Sequence, residues 1–589
     1  APIDADTGLP VPTIAVATDG GVSVIRDDGS VVDITVNNAS YTIARRVNFL
    51  SDNSLGMGIG VANGVAQESY YIFNNIPTSD NVITVDNIAG TVQNVYEFYA
   101  IQPPNSLVDL QLLGLDTNRA LLSSTGNSFA SNEGLSVISR NVGAPDKGLI
   151  SYIASDYNTG WMNGDIKLAT LSDTDTTNAV DTDFVTNGDF SSSDLSSFSA
   201  YNSGTLGASI AVVGGELKLT HTGTTNYAFA TFSWAAEIGQ VYRVSCDLKN
   251  GNASYAHFKP HSGCVWNPSD HTHSGTSYES KTHTVTATAT TAQIRLQLVG
   301  SNGQYAYFDN VSVTKAEHDR SVNNNSLQVF GTVPKTPVAT GADLVAYGPF
   351  TSSNYLEQPY NSDLDFGTGD FMYSMWIYRN SLPTSLYERW FGTASTSDDE
   401  RIDIFSNAGT DNIAFYSRDN SVVNGDVRIT GIGINVWHCI HCTREGNIYK
   451  IYHNGELRGT NVGSSTLANY QGASGNRRTH IGASEHWDSG RAVLDGKIAL
   501  AKISGTVPSP EQIKKMYEDE KVLFQENAKA TLYGTSDAVT TLAYDDDTEL
   551  LHVGTSAGRS DFQGLRRINN TTRAIGTAIS AVDGFIVEE

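Results

Sequence analysis

The stretch "HFKPHSGCVWNPSDHTH" gathers His257, His261, Cys264, His271 and His273 within 17 residues. Imidazole and thiolate are zinc ligands, but zinc sites are usually built from short paired spacings, and none repeats here. The segment therefore reads as a polar loop with solvated histidines. It also carries Trp266, with Tyr255 and Tyr278 nearby. Flat aromatic faces with a polar tip suit stacking against the apolar face of a sugar ring. Trp487, in "ASEHWDSGR", is the equivalent candidate further along, whereas Trp376 and Trp437 lie in strand-like patterns and are expected in a core. A second chemical motif, "WHCIHCTREG", places Cys439 and Cys442 three apart. In a strand those side chains face opposite ways, so a shared metal is not expected. The sequence has no G-x-S-x-G, no H-E-x-x-H and no phosphate loop, and no catalytic residue is assigned. Paired carboxylates for glycoside hydrolysis remain open among 63 acids.

The elements that would hold these residues are strands. The chain has 589 residues, 54 Gly, 16 Pro and 48 Tyr plus Phe, and it lacks long Ala/Leu/Glu/Lys tracts, which points to an all-β, turn-rich protein of several domains. No apolar run approaches 18 residues, so no membrane span is expected. A net charge of −26 disfavours nucleic acid as a partner. Four cysteines do not make a disulfide framework. The first residues, "APIDADTGLP", have neither Met nor signal-peptide character, which suggests processing or a fragment of a longer chain.

The unit "TIAVATDGGVSVIRDDGSVVDI" at residues 13–34 is echoed by "LLHVGTSAGRSDFQGLRRINNTTRAIGTAI" near the end. "GLSVISR" (134–140), "ESYYIFN" (68–74) and "GDIKLAT" (164–170) are looser relatives. Such self-similarity suggests repeated antiparallel blades. The resulting expectation is a β-propeller, five-bladed, split by two inserted β-sandwich (jelly-roll) domains. Its parts are 1–180, 181–316, 317–525 and 526–589, the first and last being the propeller. The strands "VTTLAYD", "LLHVGTS", "GLRRIN" and "RAIGTAI" would form the last complete blade, with "KATLYGTS" (529–536) the outer strand of the blade before it. "GFIVEE" (584–589) would pair with "TIAVAT" and close the ring, removing an open edge. "PSPEQIKKMYEDE" is predicted as a helix, capped by Ser509 with Pro510 in its first turn and with Ile513, Met516 and Tyr517 on one face.

The first insert begins "FVTNGDFSSSDLSSFSAY" and ends "YAYFDNVSVTK", and it resembles the jelly-roll carbohydrate-binding modules of bacterial glycan-active proteins. The resemblance implies that the two ends lie side by side. It also implies a structural calcium near them, with Asp309 at the position of the final-strand Asp. The acid expected after Phe190 is replaced by Ser191. The second insert carries "FGTGDFMYSMWIY", "VWHCIHCTREGNIYKIYHNGELRGT" and "LDGKIALAKI", and it looks like a laminin-G or concanavalin-A-like sandwich. Its Asn454-Gly455 is a favoured two-residue hairpin turn.

Several longer stretches, among them "GWMNGDIKLATLSDTD", "PVATGADLVAYGPF" and "TLYGTSDAVTTLAYDDDTELLHVGTSAGRS", resemble tail-associated virion proteins of marine bacteriophages. That resemblance implies a tail fibre or spike protein of the virion, exposed outside the cell, that binds glycans on the host surface. It also implies other phage tail proteins as partners and a homo-oligomer, with a trimer favoured. The alternatives are a glycan depolymerase or propeller glycosidase, and a purely structural virion component.

Overall fold

The structure is a computed structural model. It describes all residues except 1–11, 19, 37–42, 50–54, 61–67, 74–75, 84–94, 99–120, 124–133, 140–146, 266–270, 322, 324, 359, 385–386, 395–400, 420–421, 464–477, 485–491, 546, 577–578 and 589. The described chain is built of strands, with an α-helix at Pro510–Glu520. No helix among the described residues is long and apolar enough to cross a membrane.

Among the described residues, four four-stranded sheets lie outside the sandwiches. The first holds Ile14–Thr18, Gly21–Ile25 and Val31–Val36 as an antiparallel meander, with Asn81–Ile83 added in parallel. The second runs Ile43–Phe49, Leu55–Gly60, Glu68–Phe73 and Val95–Phe98. Val22, Val24 and Ile34 of the first pack against Leu55, Met57 and Phe73 of the second. The third joins Leu121–Ser123, Leu135–Ser139, Leu149–Ile153 and Met162–Asn163. The fourth is Val539–Asp545, Leu550–Thr555, Gly558–Gln563 and Arg566–Asn570.

The echo between the chain's two ends is a shared hairpin. Thr18 pairs with Gly21 and Thr555 with Gly558. In each, the threonine hydroxyl donates to the glycine carbonyl, at 3.0 and 3.2 Å. Both glycines have positive φ, +135° and +148°, and a Cβ would stand 2.1 Å from a carbonyl oxygen. Only glycine fits such a close backbone approach.

Four strand expectations need correction. In the last sheet the third strand is "GRSDFQ" and "GLRRIN" supplies the fourth. The polar third strand is held by a buried cluster in which Asp561 Oδ1 accepts from Arg559 Nε at 2.7 Å and lies 2.6 Å from His552 Nδ1. Alternation of apolar residues alone does not register such a strand. "KATLYGTS" runs beside the last strand through a single bridge, Lys529 to Arg567, rather than forming a strand of its own. "GDIKLAT" belongs to no blade, for Ile166–Thr170 pairs with Gly496–Ser504 of the second sandwich. Finally, Phe585–Glu588 pairs with Ile579–Val582 and not with Ile14–Thr18. Phe585 and Val587 stay 75% and 72% exposed, so this hairpin buries little of the apolar surface that closing a ring would bury. No pairing among the described residues joins the first sheet to the last.

The first sandwich stacks a five-stranded sheet on one built around the long strand Tyr305–Glu317. Its ends lie side by side: Phe184 N–H donates to Val313 O and Val311 N–H to Gly188 O. Gly188 is glycine because a Cβ there would meet Val311 O at 1.9 Å. Tyr305–Glu317 then continues into the second sandwich, pairing Ala316 with Gln328 and Glu317 with Leu327. The two sandwiches share one hydrogen-bonded sheet.

The second sandwich closes its core between two large sheets, with Trp390, Phe371, Tyr373 and Ile440 inside. Its Asn454-Gly455 turn has φ of +52° and +79°, as a type I′ hairpin requires. The helix forms with a full capping box at Ser509 and Gln512 and buries Ile513 and Met516. It also buries Glu520, whose Oε1 accepts from Lys502 Nζ (2.6 Å) and Trp161 N (2.8 Å) and whose Oε2 accepts from Trp376 Nε1 (2.7 Å). This buried carboxylate ties the helix to the second sandwich and to the segment preceding the first. Trp376 and Trp437 both pack on Phe524, with ring centroids 4.1 and 4.9 Å away.

Candidate functional site

The expected loop histidines sit on strands. His257 and His261 belong to Tyr255–Ser262, Cys264 to Cys264–Val265, and His271 and His273 to His271–His273. Among the described side chains no three of them converge. His273 Nδ1 lies 2.7 Å from Glu279 Oε2, Cys264 Sγ donates to Gln293 O, and His261 packs on Phe229 at 5.2 Å. Cys439 and Cys442 face opposite cores, as strand geometry requires, and all four cysteines are free and buried.

Trp266 and Trp487 lie outside the described residues. Tyr278 flanks the sheet of the long strand, where Lys249 Nζ covers its ring at 4.4 Å. Burial, with a hydrogen bond to Glu216, raises its hydroxyl pKa. Asp309 lies across the ladder from Asp247, and Asn310 Nδ2 donates to Asp247 Oδ2 at 2.8 Å. Burial, then the carboxylates of Asp247, Glu216 and Asp189, raises the Asp309 pKa. Among the described residues no three His, Cys, Asp or Glu side chains converge as a metal site. With Ser191 in place of the acid, the residues present do not fit the implied calcium.

The remaining predicted aromatic, Tyr255, leads to a site that motif reading missed. It lies on the outer face of the five-stranded sheet, ordered Phe198–Ala200, Tyr227–Ala235, Thr291–Val299, Tyr255–Ser262 and His271–His273. Strand alternation sends Ala228, Ala230, Phe232, Trp234, Ile294, Leu296 and Phe258 into the core. The opposite phase forms rows across the outer face. Phe229, Gln297, His257 and Thr272 are successive register partners, and the Phe229 carbonyl accepts from Tyr201 N–H. Ser199, Thr231, Arg295 and Lys259 form the next row.

Aromatic rings dominate one end of this face. Tyr201 stacks on Phe229 with centroids 4.5 Å apart and interplanar angle 18°, and Tyr227 lies parallel at 6.3 Å. Tyr201 itself is 39% exposed. Arg295 Cζ sits 5.2 Å from the Phe229 centroid. Burial, then the charge of Arg295, lowers the His261 pKa. Beside Phe229, Gln297 is only 5% exposed, and its Oε1 has no hydrogen-bond partner. A buried amide oxygen left unpaired costs about 1–3 kcal/mol. It would be satisfied by a hydroxyl donor placed against the aromatic row. The alternation in "YAFATFSW" and "AQIRLQLV" carried the signal, but only once the two strands were set side by side.

A second concavity, of about 360 Å³, lies between Val137, Trp161, the helix and the last four-stranded sheet. Its floor is apolar and its rim charges hold partners: Lys515 with Asp519 at 2.6 Å, Glu518 with Lys521, and Arg566 with Gln525 at 3.1 Å. It offers no comparable unsatisfied group.

Residues 350–514 match the family model described as the concanavalin A-like lectin/glucanases superfamily. Among solved structures, domain 4 of the GH43 extracellular arabinanase AbnA from Geobacillus stearothermophilus, in complex with arabinotriose, is 15% identical. That match covers 34% of this chain and 92% of that one, with a TM-score of 0.26. A CBM4 structure is 18% identical over 22% of this chain and 99% of its own, at TM-score 0.19. The CBM40 of a Ruminococcus gnavus IT-sialidase is 11% identical over 26% and 84%, at TM-score 0.23. No curated protein matches the chain.

Proposed function

We propose that this chain is a phage tail adhesin of the fibre or spike type, which displays two lectin-like sandwiches and grips glycans of the host surface with the outer face of the first. The reading is carried by one observation: a stacked aromatic row, Tyr201–Phe229–Tyr227, beside the unsatisfied buried oxygen of Gln297. Ring stacking and one oriented polar group are what a sugar's apolar face and its hydroxyls call for. The concanavalin A-like match of the second sandwich supports a carbohydrate role. The tail assignment is supported by the sequence motifs described above. The repeated sheets with their Thr-x-x-Gly hairpins support a propeller-like scaffold carrying the sandwiches. Several copies, a trimer favoured, would turn weak single contacts into useful avidity.

The test is binding of the full chain to arrayed bacterial lipopolysaccharides and capsular polysaccharides. Binding that falls at least about tenfold in Tyr201→Ala, with unchanged thermal unfolding, is the expected result; such a drop corresponds to roughly 1.4 kcal/mol of stacking. Failure to bind any polymer, or full binding by Tyr201→Ala, would remove the assignment.

A further inference from the structure

Glu317 is the last residue of the long strand, paired with Leu327 where that strand passes into the second sandwich. Beside it lie Lys335 and Tyr347, register partners in the second sandwich, and Asp173, in the segment that leads to the first. Tyr347 is 1% exposed. Its Oη stands 2.6 Å from Asp173 Oδ2 and 2.5 Å from Glu317 Oε2. A phenol carries one proton and donates to only one of the two. Were both carboxylates ionised, one oxygen would face the phenol's lone pairs at hydrogen-bond distance, so a second proton is needed there. Lys335 Nζ donates to Asp173 Oδ2 at 2.8 Å, which makes Asp173 the ionised member. The relay then runs from the Glu317 carboxyl to the Tyr347 hydroxyl to the Asp173 carboxylate, with the ammonium at its end.

We infer that this relay is a proton-operated latch between the two sandwiches, closed while Glu317 holds its proton and released when the proton leaves. The surroundings of the relay agree. Burial raises the Glu317 pKa, with the charge of Lys335 opposing and that of Asp173 reinforcing the effect. Burial, then the two carboxylates, keeps the Tyr347 hydroxyl protonated. His318, next in the chain, is held neutral by burial and then by the charges of Arg320 and Lys335. Arg320 lies over the Tyr157 ring at 4.0 Å, and the exposed Asp175 is 3.9 Å from Lys335 Nζ. A carboxyl that binds its proton more tightly in the closed state stabilises that state fully at low pH, and the contribution is lost as pH rises through the raised value. Ionising Glu317 sets a second negative charge against Asp173, with the single ammonium of Lys335 to answer both. The pairs Ala316 with Gln328 and Glu317 with Leu327, and with them the angle between the sandwiches, are what gives way.

Hydrogen exchange of the full chain between about pH 5 and about pH 9 reads the latch, each rate being divided by that of the unstructured chain at the same pH. Protection of the amides of Ala316, Glu317, Leu327 and Gln328 should fall at least about tenfold towards the alkaline end, because an equilibrium that releases one proton changes tenfold per pH unit. Protection of Val241–Asn250, within the first sandwich, should stay constant. Glu317→Gln, whose amide donates to Tyr347 at every pH, should keep the junction protected throughout. Constant wild-type protection at the junction, or a fall that persists in Glu317→Gln, would overturn the proposal. Should that variant not fold, the wild-type profile decides alone: a fall confined to the junction supports the latch, and a fall shared by Val241–Asn250 overturns it.

Discussion

The outer faces of the two sandwiches are built alike and finished differently. Each is an antiparallel sheet whose outward phase carries polar and aromatic residues. On the second sandwich, Glu357, His480, Gly392, Asp403, Tyr416 and Asp426 form one row of register partners. Its charges answer one another: Arg478 meets Glu357 at 2.9 Å, Arg389 and Arg401 meet Asp403, and Arg428 meets Asp426 at 2.8 Å. On the first sandwich the outward phase carries stacked rings and the buried Gln297 Oε1, which has no hydrogen-bond partner. Internal pairing makes a face part of the fold, whereas an unsatisfied buried acceptor leaves a place that a ligand's donor can finish.

The largest expected effect falls on the self-paired face. Asp403→Ala leaves Arg389, whose side chain is 6% exposed, without its buried partner. Breaking such a pair costs about 3–5 kcal/mol, read as a lowered unfolding transition of the second sandwich. Arg295→Gln on the other face should change stability by less than about 1 kcal/mol. Equal losses would erase the distinction.

Acid separates the sandwiches next. In the second, burial lowers the pKa of His441 to about 3 and of His453 to about 4, and lowers that of His438 as well. Each binds its proton more weakly folded than unfolded. Their contribution is therefore complete above about pH 6.5 and is lost as pH falls towards 4 and below. The loss is on the order of a few kcal/mol. In the first sandwich the lowered histidine is the exposed His261. Calorimetry between pH 7 and 4 should move the second sandwich's transition further than the first's, and His453→Gln should reduce that movement.

Gln297→Leu sharpens the comparison from the other side. Removing an unsatisfied buried amide should leave stability unchanged or raise it by about 1 kcal/mol, while glycan binding falls. A fall in stability together with binding would make Gln297 structural. The smallest effect is expected for Arg428→Ala, whose pair with Asp426 is 43% and 35% exposed. Double-mutant analysis should return at most about 1 kcal/mol.

Much of this architecture could be read from local sequence. The capped helix was legible from Ser509 and Pro510, the hairpin from Asn454-Gly455, and the side-by-side jelly-roll ends from the resemblance of the two stretches that bracket them. The first two depend on neighbours in sequence, and the third on paired motifs at the two ends of one domain. The pairing of Ile166–Thr170 with Gly496–Ser504 spans more than three hundred residues, and five residues of alternation do not name a partner. The candidate site was hidden for a related reason. Tyr201, Phe229 and the pair Arg295 and Gln297 come from three places in the chain, each interleaved with core residues, and the histidine-rich stretch drew the eye to isolated side chains.

The long strand Tyr305–Glu317 has a mechanical consequence. One end is laced into the first sandwich beside Val241–Asn250, and the other into the second beside Leu327–Phe330. A swivel about single bonds would let each sandwich wander through a cone of directions. A continuous ladder of hydrogen bonds transmits torque instead, so the two faces keep a set angle. A force that turns the first sandwich is then passed along the strand to the second.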